Sequence, residues 1–144
     1  MLEKYRFKTE PYDHQRAALG ASWDKHEFAY FMEMGTGKSK VLIDNLALLY
    51  DYGHVDAALI VAPKGVYKNW AELEIPKHLP DHVQNRIVSW YPNPNKKQKA
   101  DLFSLFELTP DLKIFVMNIE ALSTKKGTSF ANKFLLGHKT MFVI

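Results

Sequence analysis

Short apolar runs alternate along this chain with longer segments of helical periodicity. Runs rich in Val, Ile, Phe and Ala predict strands over residues 28–32, 57–62, 86–90, 113–117 and 140–144. Between them, residues 38–52 carry Leu42, Leu46 and Leu49 at i, i+4 and i+7, a helical stripe with Gly53 placed to stop it. Residues 95–108 repeat the pattern with Leu102, Leu105, Phe106 and Leu108, and Pro110 follows. An opening helix is expected from Asp13, a good N-cap just after Pro11, toward Trp23. Continuously apolar strands alternating with helices predict an α/β fold, a parallel sheet covered by helices on both faces.

At 144 residues the chain has the size of one domain, and no repeat or Gly/Ser-rich linker divides it. With 47% hydrophobic and 24% charged residues it has enough apolar matter to fold, which argues against disorder. The absence of cysteine excludes disulfides, thiolate zinc sites and thiol nucleophiles, and suits a cytoplasmic setting. No run approaches the ~18 apolar residues that a bilayer span needs, and the charged start lacks the core of a signal peptide, so no membrane role is expected. The net charge of +3 is compatible with a polyanionic partner but does not demand one.

The densest chemistry follows the first predicted strand, where FAYFM runs into EMGTGKSKV. Met34, Gly35, Thr36, Gly37, Lys38 and Ser39 have the order of a phosphate-binding loop. Its glycines let backbone N–H groups turn toward phosphate oxygens, and the next helix presents its positive end. In such a loop Lys38 reaches the β- and γ-phosphates of ATP and the Ser39 hydroxyl ligates Mg²⁺. The strict pattern asks for glycine where Met32 stands.

The flanks narrow the choice. PYDHQRAAL precedes the loop; LIVAPKGVYKNWAELEIPKHLP and IFVMNIEALS follow it. Together these segments resemble the first RecA-like domain of superfamily-two helicases, particularly the SWI/SNF-like branch of DNA translocases and similar phage and bacterial proteins. The resemblance implies a RecA-like ATP-binding domain over residues 1–144, with Gln15 reading the adenine edge, and a loop that often lacks the early glycine. It also implies that Lys64 and the Gly65 amide touch a nucleic-acid backbone, double-stranded DNA in that branch. The run FVMNIEAL keeps only Glu120 of the family's usual Thr-Thr-Tyr-Glu segment, so Asn118 carries little of the resemblance. KTMFVI resembles the strand that leads into the family's Asp-Glu box. The resemblance therefore implies an N-terminal piece of an ATP-driven motor whose second RecA-like domain is missing, able to bind ATP without turning it over.

Two readings of other classes compete: a phosphate-loop kinase or metabolic ATPase, and a non-enzymatic nucleotide- or nucleic-acid-binding module. The first would need a substrate lid with arginines, and the chain has only Arg6, Arg16 and Arg86. His78 and His82, with Pro80 between them, read as solvated surface rather than a metal pair. Lys96, Lys97 and Lys99 read as a solvated helix start, and Trp70, spaced helically with Leu73, reads as core. Tyr12 and Phe7 stand where an aromatic could stack on adenine, although a core role suits them equally.

Overall fold

The computed structural model describes residues 38–143, with side chains from Lys40 onward. The strand expected at 28–32, the helix expected from Asp13, Tyr12 and Phe7 lie outside the described residues. Within them the order is α1 (Lys38–Asp51), β1 (Ala57–Ala62), α2 (Tyr67–Asn69), a π-helical turn (Trp70–Glu74), α3 (Ile75–His78), β2 (Asn85–Ser89), α4 (Lys96–Ser104), β3 (Leu112–Asn118), a 3₁₀ turn (Ile119–Ser123), α5 (Lys125–Gly137) and β4 (Thr140–Val143).

The four strands form one sheet in the order β2-β3-β1-β4, and every pairing is parallel. Ala57 pairs with Lys113 on one side and Thr140 on the other, and Ile60 pairs with Val116 and Val143. All six residues of β1 are buried, as expected of an inner strand covered on both faces. Right-handed crossovers place α2 and α3 on one face of the sheet and α4 and α5 on the other. On the α5 face, Phe115 of β3 meets Phe130 and Phe134 with ring centroids 5.1 and 5.6 Å apart, and Trp90 lies 5.6 Å from Phe130. Trp90 is therefore a core residue, and Trp70 packs partly buried against the same core.

α1 ends where the sequence places its stop: Gly53 takes a positive φ of 75° and its amide donates to the Tyr50 carbonyl at 3.0 Å. Its burial is wider than the expected stripe. Val41, Ile43, Leu46, Ala47, Leu48 and Leu49 are all buried, as are Lys40, Asp44 and Asn45, while Leu42 is only half-buried. A helix covered on several sides needs no single apolar stripe.

Two expectations are corrected. The helix expected over 95–108 stops at Ser104. The Ser104 carbonyl, which would accept the Leu108 amide in a continuing helix, accepts Arg86 Nη1 at 2.8 Å and the Glu107 amide at 3.2 Å instead. Leu108 is left fully exposed, and Phe106 turns onto Phe130 and Phe134. Leu73 is also exposed, because the segment around it is not a plain α-helix. Pro76 has no N–H to donate, and the Ile75 amide reaches back to the Trp70 carbonyl in a wider turn, which shifts Leu73 off the α-helical register.

Candidate functional site

Because the strands are parallel, their carboxyl ends share one edge of the sheet, the edge at which open α/β sheets bind ligands. β1 ends at Ala62 and turns through Pro63, Lys64 and Gly65; the Pro63 carbonyl accepts the Val66 and Tyr67 amides at 2.9 and 3.0 Å and starts α2. β3 ends at Asn118 and passes into the 3₁₀ turn. The two ends are joined through Glu120. Its carboxylate accepts the Asn118 side-chain amide at 3.1 Å, and nearby backbone N–H groups, its own first, together with that bond and the Lys64 charge hold it below the usual carboxylate range.

The 3₁₀ turn hands the chain to α5. Thr124 caps that helix by accepting the Gly127 amide at 3.0 Å, and donates in turn to the Ala121 carbonyl at 2.7 Å. The first turn of α5 carries Lys125 and Lys126 and no acidic residue. Lysines there oppose the helix dipole, an arrangement that an anion would relieve. Lys64, Trp90, Asn118, Glu120, Thr124, Lys125 and Lys126 line a cleft of about 440 Å³ at this edge, and all three lysines are exposed. Three ammonium groups against the single carboxylate of Glu120, with a helix amino end and exposed loop backbone, leave the cleft net positive, a cradle for phosphate oxygens.

The sequence-derived site residues divide into two groups. Gln15, Met34, Gly35, Thr36 and Gly37 lie outside the described residues. Lys38 and Ser39 are described in backbone only, and both belong to α1. Lys64 lines the cleft, and Gly65 beside it is exposed, with nothing within 4 Å of the place a Cβ would occupy. Lys125 and Lys126 were missed by sequence reasoning. Their signal was legible: a Thr N-cap followed by two lysines, where Asp or Glu would be ordinary. Lys96, Lys97 and Lys99 are exposed at the start of α4, behind the capping box that Asn95 and Gln98 form with bonds of 2.8 and 3.0 Å.

Away from the cleft, a charged group is buried between α1 and α3. Lys40 Nζ lies 2.9 Å from Asp44 Oδ2, and burial pushes the Asp44 carboxyl up to about 6 against the pull of that lysine. His78 is corrected from surface to interior: it is 8% exposed, and burial, with Lys40 and Lys77 adding positive charge, lowers its pKa to about 4. It is neutral at pH 7, so its 3.7 Å approach to Glu74 is no ion pair there. His82 lies 2.8 Å from Asp51. Among the described residues no group of three or more His, Asp or Glu side chains could hold a metal ion, and no helix is long and apolar enough to cross a membrane. No protein-family model matches the chain, and no curated protein is significantly similar to it.

Proposed function

We propose that this chain is the ATP-binding, first motor domain of a nucleic-acid translocase of the SWI/SNF-like type, working on double-stranded DNA. The observation that carries this reading is the cradle. VAPKGVYKNW and FVMNIEAL are distant in sequence, and each was singled out as a segment of the same motor family. In the fold they meet at one sheet edge, where Lys64, Asn118 and Glu120 line one cleft with Lys125 and Lys126 alongside. Such a surface suits a phosphate backbone running across the strand ends.

The nucleotide half of the reading is supported by α1. Lys38 and Ser39, the last residues of the glycine loop, are helical, as a phosphate loop feeding a helix amino end requires. In this reading the loop amides and Lys38 hold the ATP phosphates, Ser39 holds Mg²⁺, and Gln15 reads adenine. Bound Mg²⁺ would neutralise charge on the phosphates. A kinase-like use of Arg86 is disfavoured by its position at the amino end of β2. There its guanidinium is held by the Ser104 carbonyl at 2.8 Å, Glu107 at 2.7 Å and Asp111 at 3.3 Å.

The test is equilibrium binding of a fluorescent ATP analogue with Mg²⁺, alongside a titration with a short blunt DNA duplex. Lys38→Ala should abolish nucleotide binding and leave DNA binding in place, and Gln15→Ala should narrow the preference for ATP over GTP. Lys64→Ala should weaken DNA binding alone. Nucleotide affinity untouched by Lys38→Ala would refute the nucleotide half, and a duplex that does not bind at low salt would refute the other.

A further inference from the structure

A second groove runs from the cradle between α4 and α5. Its volume is about 460 Å³, and its lining is mainly aromatic, aliphatic and proline, with Trp90, Tyr91, Pro92, Leu102 and Phe130 among it. Phe103 also lines it, with 65% of its surface exposed, so that its ring is accessible from the groove. Lys99, Lys126 and Lys133 also line it, and no acidic side chain does. Trp90, Pro92 and Lys126 belong to the cradle as well, so the two depressions form one continuous surface.

We propose that this groove docks an unpaired DNA strand continuing from the duplex on the cradle; the inference rests on the function proposed above. The exposed Phe103 ring, with the part-exposed rings of Tyr91 and Phe130, is bordered by ammonium groups as a single strand requires, since bases stack on rings while lysines follow the phosphates. The groove has room for one or two bases. With three lysines and no acidic side chain in its lining, charge complementarity points to a polyanion as the occupant.

The experiment compares, on the intact protein, a blunt duplex with the same duplex carrying a thymine-rich single-stranded overhang, by fluorescence anisotropy. The overhang should tighten binding about tenfold, and Phe103→Ala should remove most of that gain while leaving the blunt duplex unchanged. Phe103 is exposed, so its truncation should not disturb folding; circular dichroism and the unfolding midpoint verify this. Lys99→Ala with Lys133→Ala should also reduce the gain and flatten its salt dependence. An overhang that adds nothing while the blunt duplex still binds would overturn this inference alone. Failure of both DNAs to bind would overturn the proposed function with it. An acidic, tryptophan-bearing peptide whose binding needs Phe103, beside an inert overhang, would give the groove to a protein partner and overturn the proposal. An RNA overhang that outcompetes the DNA one would overturn its assignment to DNA.

Discussion

Gly127 is the position at which one methyl group should separate local helix preference from tertiary packing. It lies in the first turn of α5, where alanine would ordinarily stabilise a helix by about 1 kcal/mol. Here an added Cβ would lie 2.0 Å from the Ala121 carbonyl oxygen, 2.8 Å from its carbon and 2.9 Å from Thr124 Oγ1. The oxygen cannot swing away as a side chain would. It belongs to the backbone of the 3₁₀ turn and already accepts the Thr124 hydroxyl at 2.7 Å and amide at 3.1 Å. Overpacking of a well-filled site costs about 1–3 kcal/mol, and an overlap this deep against backbone belongs at the upper end. Subtracting the propensity gain leaves a loss of about 2 kcal/mol. With a urea dependence of about 1–3 kcal/mol/M, the unfolding midpoint of Gly127→Ala should fall by about 1 M with an unchanged slope. Gly137→Ala is the control, since nothing lies within 4 Å of its added Cβ, and its midpoint should hold or rise slightly. Because Ala121 and Thr124 also line the cradle, the folded fraction of Gly127→Ala should bind DNA more weakly than wild type. A midpoint that stays put or rises would refute the reasoning, since helix propensity would then outweigh the contact.

Further tests follow from the charges. Single replacements of Lys64, Lys125 or Lys126 by alanine should each lower the slope of log affinity against log salt by about 0.9 on duplex DNA; an unchanged slope removes that lysine from the contact. His78 stays neutral in the native state down to about pH 4, whereas the unfolded chain takes up its proton near 6.5. Stability should therefore fall as pH drops from 6.5 toward 4 and level off below, and His78→Gln should flatten that window in urea titrations at pH 7, 5.5 and 4. Asp44 has the opposite sign. Its native carboxyl holds a proton up to about 6, against 3.8 in the unfolded chain, so its contribution is present at low pH and lost as pH rises through 6. Asp44→Asn should then make the acid loss steeper; an identical pH profile would contradict the linkage. Asp111→Asn should cost about 1–2 kcal/mol in thermal or urea unfolding. It removes the carboxylate that pairs with Arg86 at 3.3 Å and with buried Lys113 at 2.9 Å, while the Thr109 carbonyl, 2.6 Å from Lys113 Nζ, limits the loss.

The sequence by itself determined the elements and their class. The apolar runs at 57–62 and 113–117 are buried between layers as their composition requires, whereas the run at 140–143 is only half-buried, and Gly53 ended a helix because glycine tolerates the positive φ found there. The lysine of the loop after β1 could be singled out from its motif, and the fold places it in the lining of the cleft. What the tertiary structure decided was adjacency. No spacing along the chain says that Lys64 and Glu120 line one cleft, because the pairing of β1 with β3 sets that across a long crossover. The end of α4 at Ser104 was likewise unreadable, since Arg86 of another strand takes the carbonyl the helix needed. His78 reads as surface in a charged stretch, and only the packing of α3 beside α1 buries it near Lys40 and Asp44. Local preferences are carried by neighbours in sequence and survive inspection one segment at a time. Burial, charge pairing and the shape of a site depend on which segments the sheet brings together, and that is fixed only when the whole fold closes.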